Sequence, residues 1–340
     1  MRFLLPIVLF FIYLGHAQEY RLFCVGFYNV ENFFDAVDDP KTFDDDYTPN
    51  GRKSWTNASF RQKAVLIASV IDALKNNPSQ KPPVLLGLAE IENRTVLEAL
   101  LNTNELVPYG YSIIHFDSPD RRGIDVALLY QSQLFHIDFA KKYRLRLQSE
   151  SKQYFNTTRD QLVVSGFLEG KPLVVMVNHW PSRRGGAKRS APLRMAAARL
   201  QSRIKDSLER LTPKPQIIVM GDFNDNPDNK SVRLLTQPQK SLVEEYNEPL
   251  FNAMTKLYTK GVGSLAYNDR WHLFDQILLS ESFKSRDHLF YLTTKIFNPL
   301  YLQTPEGRYK GYPYRTTQKG QLLNGYSDHF PVYVVLGLEL

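Results

Sequence analysis

Nine apolar runs of strand length punctuate the chain, at residues 22–30, 83–90, 111–115, 126–130, 162–168, 173–178, 216–220, 273–279 and 331–337. Runs this short, rich in aliphatic and aromatic residues and bounded by turn formers, read as buried strands. Glu169-Gly170-Lys171-Pro172 joins two of them through a tight turn, so that pair is expected to form an antiparallel hairpin. A sheet made only of parallel strands is thereby excluded. Helical patterns lie between the runs. Residues 61–75 place Ala64, Ala68, Ile71 and Leu74 close to a 3.6-residue period, with Asn57 or Ser59 positioned to cap the start, and 95–101 and 193–211 behave alike. Strands that alternate with helices and also pair antiparallel predict an α/β fold, with one mixed sheet or two packed sheets and helices outside.

Residues 1–17 stand apart from this pattern. A basic start, an apolar stretch over 3–14 and the small-residue ending Gly15-His16-Ala17 are the marks of a secretory signal peptide. The stretch is too short to span a bilayer comfortably, which disfavours a retained anchor. The expected mature chain, 18–340, is one domain with no repeat and no long linker. Loss of Arg2 takes the formal charge from +7 to about +6. The one cysteine, Cys24, rules out an internal disulfide, and no Cys/His spacing suggests structural zinc. Export without disulfides fits a bacterial periplasm or exterior. A pI near 9.2 biases the partner toward a polyanion such as nucleic acid.

Polar motifs mark the ends of several runs: Asn29-Val30-Glu31-Asn32, Glu90-Ile91-Glu92-Asn93, Asn178-His179, Gly221-Asp222-Phe223-Asn224 and Ser327-Asp328-His329. Glu90, emerging from a buried run, can hold Mg²⁺ or Mn²⁺ through oxygen, and Glu92 is the alternative ligand. Asp222 can orient or deprotonate a water, and Asn224 can donate to a phosphate oxygen. His179 and His329 supply imidazoles whose proton equilibrium lies near neutral pH. Together these side chains point to a hard-metal and phosphate site.

The set, in this order and with Asp275 of Trp271-His272-Leu273-Phe274-Asp275, resembles the endonuclease/exonuclease/phosphatase superfamily over residues 22–337. That group includes deoxyribonuclease I, exonuclease III-like enzymes, neutral sphingomyelinases and inositol-polyphosphate 5-phosphatases. The resemblance implies a four-layered α/β sandwich, two mixed sheets face to face with helices outside. It also implies Mg²⁺-dependent phosphoester hydrolysis, with Mn²⁺ or Ca²⁺ as alternatives. By the same resemblance Glu90 is the principal metal ligand, Asn29 the amide beside metal and phosphate, and Asp328 an acidic residue at the metal site. Asp222 and Asn224 handle water and phosphate, His329 is a catalytic histidine paired with Asp275, and His179 matches the histidine of the deoxyribonuclease and phosphatase branches. Asp125 is a further candidate, as the carboxylate that orients the first histidine.

Substrate is set by loops. Asn178 and, at the rim, Arg183 and Arg184 are expected to contact it, with Lys188 and Arg189 close by. Residues 35–55 read as an acidic surface loop outside the core. Residues 297–326 read as an ordered loop that interleaves Tyr301, Tyr309, Tyr312, Tyr314 and Tyr326 with Arg308, Lys310, Arg315 and Lys319. Such a segment offers base stacking and phosphate contacts. The expectation is an exported DNA endonuclease without stable membrane association. The alternative is a phosphomonoesterase or a phospholipid or sphingomyelin phosphodiesterase on the same site.

Overall fold

The computed structural model describes residues 19–148, 155–238, 248–318 and 320–340. The leader expected over 1–17 and Lys319 lie outside the described residues. One six-stranded sheet has the order β15 (Phe290–Ile296), β18 (Val332–Glu339), β1 (Tyr20–Phe33), β2 (Leu85–Ile91), β4 (Asp125–Gln131), β3 (Tyr111–His115). The other has the order β11 (Phe251–Asn252), β14 (Asp275–Leu279), β10 (Ile217–Asp222), β9 (Lys171–His179), β8 (Gln161–Leu168), β5 (Phe135–Tyr143). Three short ribbons pair β6 (Leu147–Gln148) with β7 (Phe155–Asn156), β12 (Leu265–Tyr267) with β13 (Arg270–His272), and β16 (Thr317–Gln318) with β17 (Gln321–Leu322).

Every expected run is a strand, and both large sheets are mixed: β1 runs parallel to β2 and β9 to β10, while their other neighbours are antiparallel. The β8–β9 turn places Glu169 at φ 49° and Gly170 at φ 76°, the left-handed pair that matches the twist of a tight hairpin. Strands β5 and β15 carry no clear signal in the sequence because each lies at a sheet edge and exposes much of its length.

Helices cover the outer faces. α1 (Asn57–Ala73) and α2 (Arg94–Leu101) bury Ala64, Ile67, Ile71 and Leu97 in the cluster that holds Leu85, Leu128 and Val335 of the first sheet. Thr56 caps α1 by accepting from the Ser59 amide at 3.2 Å, one residue before the expected cap. α3 (Ala187–Leu211) and α4 (Lys230–Thr236) pack Ala197, Ile204 and Val232 onto Val163, Met176 and Val219 of the second sheet. A short α5 (Thr255–Thr259) follows β11. Between the sheets, Gly87 of β2 lies against Met220 of β10 and Val177 of β9. Helix, sheet, sheet, helix are thus the four expected layers.

The segment 35–55 departs from its reading as a loop free of the core. It makes a 3-10 turn at Asp45–Tyr47, Phe34 stacks on Tyr47 at 4.2 Å, and buried Trp55 donates to the Phe34 carbonyl at 3.0 Å. Its aromatics supply the apolar area that its acidic surface conceals. Among the described residues no helix is long and apolar enough to cross a membrane.

Candidate active site

Strand direction gathers the polar motifs. Because β1 and β2 are parallel, and β9 and β10 are parallel, Asn29, Glu90, His179 and Asp222 stand at the ends of their strands on one rim. The antiparallel β14 and β18 bring Asp275 and His329 to the same rim from their starts. In the second sheet Asp222 is in register with both His179 and Asp275.

Asn29 Nδ2 donates to Asp222 Oδ2 at 3.1 Å and to Glu90 Oε1 at 3.4 Å, joining the two sheets. Asp222 Oδ1 accepts from the Asn224 amide at 2.8 Å. His179 Nε2 lies 3.6 Å from Asp222 Oδ2 and 3.9 Å from Glu90 Oε1. His329 Nδ1 and Asp275 Oδ2 are 2.7 Å apart, and the other ring nitrogen is 4.0 Å from Asp222 Oδ2. Ser264 also donates to Asp275 Oδ2, at 2.5 Å. Ser327 fixes this turn by donating to the Asn29 carbonyl at 2.7 Å and accepting from the His329 amide at 3.1 Å. Glu90 occupies a bulge at φ 64°, and its Oε2 accepts from the Asn32 amide at 2.8 Å. Left-handed backbone at a non-glycine residue is strain of the kind that persists where surrounding structure enforces it.

The environments separate the titrating groups. Burial pushes Asp222 up to about 7, with Asp275 and Glu90 adding to the rise and His329 opposing it. Burial, then Arg159 and Arg122, hold His179 well below the usual imidazole range. For His329 burial acts downward, but Asp275, Asp222 and Asp328 outweigh it and raise the imidazole well above that range. Burial thus favours the neutral form of the first ring, and the surrounding carboxylates favour the protonated form of the second.

The structure therefore brings together Asn29, Glu90, His179, Asp222, Asp275 and His329. Asp328 stands beside them at the rim, held by Arg315 at 2.9 Å, with Oδ1 3.9 Å from His329 Nε2. Asn224 supplies its amide to Asp222, while its side chain donates to the Trp180 carbonyl at 3.0 Å. Three expectations are corrected. Asn178 faces away from the site, fully buried, and its Oδ1 accepts from Trp180 Nε1 at 3.2 Å, because neighbours on a strand point to opposite faces. Asp125 meets His115 at 3.0 Å and accepts from the Ser118 amide at 2.7 Å, so it orients a different histidine. Arg183 is turned inward: it donates to the Asn224 carbonyl at 2.8 Å, to Asp225 at 3.0 Å and to Asn229 at 2.9 Å. Arg184 and Lys188 are exposed.

Glu92, the alternative ligand, accepts from the Asp35 amide at 2.6 Å in an acidic cavity apart from this cluster. A buried network behind the rim was not read from the sequence. Glu31 accepts from the Thr316 amide at 2.6 Å and lies 3.5 Å from Arg315, and Lys63 donates to Thr316 and, at 2.7 Å, to the Tyr326 carbonyl. Burial pushes Glu31 up to about 7 and Lys63 down to about 8. Glu31 shares a motif with Asn29, but the positive φ of Glu31 and Asn32 breaks the strand alternation there, so spacing carried no signal of where it turns. Arg159 was also missed: it donates to the backbone carbonyls of His179 and Trp180 at 3.2 and 2.7 Å.

The donor set fits a hard divalent cation. Carboxylates of Glu90 and Asp328 offer oxygen, whereas Asn29 turns Nδ2 to Glu90 and Asp222 and its Oδ1 accepts from the Glu31 amide at 3.0 Å; no thiol is near, and the neighbouring Glu31 and Asp222 carboxyls are pushed up by burial with other carboxylates adding to the rise. Asp222, Asp275 and His329 also bring ligand atoms within 4.8 Å of one another. The 2.7 Å contact of His329 with Asp275 is a hydrogen-bond length, so that trio reads as a proton-handling group.

Two mixed sheets whose facing ends carry this set define a phosphoesterase fold and site, and the chain belongs to the endonuclease/exonuclease/phosphatase family, whose profile matches residues 24–337. Members of that family hydrolyse phosphoesters and generally use a divalent metal. No curated protein matches the chain. Among solved structures it is similar to the catalytic domain of human nocturnin with bound sulfate, at 15% identity and TM-score 0.57, over 94% of this chain and 97% of that one. It is also similar to a mannosyl-6-phosphatase of Bacteroides thetaiotaomicron, at 16% identity and TM-score 0.55, over 92% and 99%. A third is D. rerio TDP2 complexed with a single-strand DNA product, at 12% identity and TM-score 0.54, over 93% and 98%.

Proposed function

We propose that this protein is an exported, metal-dependent phosphodiesterase acting on nucleic acid, with DNA as the main substrate and cleavage at internal phosphodiesters. The observation that carries the reading is the meeting of Glu90, Asn29, His179, Asp222 and the His329–Asp275 pair across the two sheets. Glu90 and Asp328, with Asn29 beside them holding Glu90 in place, would bind Mg²⁺, or Mn²⁺ or Ca²⁺, which supplies Lewis-acid charge at a phosphoryl oxygen. Asn29 orients Asp222 and Glu90 at once. Asp222, its other oxygen fixed by the Asn224 amide, accepts a proton from water. The imidazolium of His329, locked by Asp275, faces the charge of the phosphate, and His179 directs Nε2 toward the same point. Nucleic acid is supported by the basic chain, by exposed Arg184 and Lys188, and by the DNA product recorded for D. rerio TDP2. Export rests on the leader pattern of residues 1–17.

A second reading, a phosphomonoesterase, is favoured by one observation. On the β2–β4 flank of the rim a cavity of about 640 Å³ is lined by Asp35, Asp38, Asp39 and Asp117, with Lys41 and Arg121 offsetting part of their charge. A long polyanion crossing that flank is repelled, whereas a compact phosphate ester need not cross it.

Purified mature protein should be assayed with Mg²⁺, and with chelator, against plasmid, RNA, sphingomyelin, inositol phosphates and mannose 6-phosphate. Chelator-sensitive DNA cleavage is expected. Release of phosphate from a sugar or inositol phosphate, with DNA and RNA untouched, sinks the nuclease reading. N-terminal sequencing that begins at Gln18 tests export, and recovery of Met1 in a membrane fraction opposes it.

A further inference from the structure

The irregular segment between β15 and β18 folds back beside the site and, with the β12–β13 ribbon, walls a cavity of about 290 Å³ that reaches Asp328. Tyr267, Tyr309, Tyr312 and Arg308 line it, and Arg315 closes the side nearest the rim. At the small end of ligand-pocket volumes, it suits one planar group. Its walls are braced: Tyr312 Oη and Arg308 both donate to Asp269, at 3.1 and 3.2 Å. An aromatic row backs it, with Tyr309 to Tyr312 at 5.8 Å, Tyr312 to Trp271 at 5.6 Å and Trp271 to Phe330 at 6.2 Å. Phe330 follows His329 directly, so the row is anchored to the turn that carries the imidazolium. Tyr267 is 66% exposed and Trp271 41%. Aromatics that a fold braces and yet leaves open to solvent beside a reacting centre are placed to stack on a ligand.

A second cavity, of about 570 Å³, shares Arg315 and Gln318 with the first and is lined by Arg52, paired with Asp46 at 2.6 Å, and by Lys53, which donates to Tyr47 at 2.7 Å and Thr317 at 3.2 Å. It offers cationic groups where the aromatic cavity offers rings. Neither shares a lining residue with the acidic cavity of the β2–β4 flank. A ligand that extends through both meets an aromatic slot and then a basic slot.

We propose that the aromatic cavity takes the nucleobase of the nucleotide bearing the scissile phosphate, and that the basic cavity takes the next phosphate of the same strand. This rests on the nucleic-acid reading above and sharpens it: the substrate is single-stranded, since a base must leave its stack and its partner to lie against tyrosine.

The test uses the mature protein, a single-stranded oligonucleotide and the same oligonucleotide with one base-lacking residue beside the cut. Tyr267→Ala and Tyr309→Ala should lower the preference for the intact over the base-lacking oligonucleotide, in kcat/KM, by about tenfold, the order expected for one stacked base. Arg52→Ala should weaken binding of labelled oligonucleotide in chelator, without turnover, and reduce its salt slope by about one. Thermal melts confirm that these half-exposed or exposed positions leave the fold intact. Wild-type cleavage of single strands with the preference unchanged in both tyrosine variants overturns the base slot and leaves the nuclease reading standing. Equal or faster cleavage of a duplex also overturns it. A wild type that cleaves no nucleic acid overturns both.

Discussion

Glu90 is the residue on which the metal reading turns. It is held at positive φ on a bulge, one oxygen on the Asn32 amide and the other toward Asn29. Glu90→Gln keeps the shape and removes the charge, so activity should fall by at least about a hundredfold with the melting temperature nearly unchanged; normal Mg²⁺-dependent turnover removes Glu90 from the site. Asp275→Asn removes the charge that orients and stabilises the protonated His329 ring, and its rate should fall into the range of His329→Ala, on the order of 10²–10⁴ below wild type. Wild-type kinetics in that variant rule out the pairing. Glu92 tests the acidic flank. Burial pushes its carboxyl from an ordinary 4.5 up to about 8, with Asp35, Asp44 and Asp39 adding to the rise. The folded state then binds more protons than the unfolded state between these values, so this group's contribution falls as pH rises through that window. Glu92→Gln, which can still accept from the Asp35 amide, should therefore raise the melting temperature at pH 8.5 relative to wild type and leave it nearly level at pH 4. A gain that is the same at both pH values contradicts this account.

At the scale of elements, the loop after β10 and the start of α3 are clamped to each other. Arg183 holds the Asn224 carbonyl and Asp225 and lies over the Phe274 ring at 4.5 Å, while Arg194 and Ser231 grip the other oxygen of Asp225 at 2.7 and 2.6 Å. Asn224 in turn holds Asp222. Arg183→Ala should displace that chain of contacts and lower kcat on the order of 10²-fold, since a small misplacement of a catalytic group has that effect. It should leave the salt dependence of DNA binding alone. Arg184→Ala should instead raise KM for DNA and flatten the salt slope by about one. If Arg183→Ala flattens the slope and spares kcat, the arginine meets substrate after all. In sequence the two arginines are indistinguishable neighbours; only the packing of the β10 loop tells them apart.

On the scale of the whole molecule, the site exists because two sheets meet closely. Asn29 and Glu90 belong to one sheet, His179, Asp222 and Asp275 to the other. Gly87 measures that approach: a Cβ there would lie 2.7 Å from Met220 Sδ and 3.1 Å from Phe27 and Val177. Gly87→Ala should overpack the interface by about 1–3 kcal/mol, lowering the melting temperature by a few degrees. Activity per folded molecule should fall as well, because the halves of the site are pushed apart; an unchanged melt and rate would mean that the sheets adjust freely. The features legible in the chain are local: which segments are strands, that Glu169-Gly170 turns a hairpin, and that carboxylates, amides and imidazoles end the strands. Burial period and turn chemistry act over a few residues, and they can be read there. The family resemblance supplied the Asp275–His329 pair, but no local pattern shows which carboxylate meets which histidine. Asp275 reaches His329 across 54 positions, Asp125 reaches His115 rather than His179, and Asn178 turns inward one residue before His179 turns to the site. Those outcomes depend on strand register and on the approach of two sheets, where a shift of one residue reverses every side chain, and no local pattern in the chain carries that information.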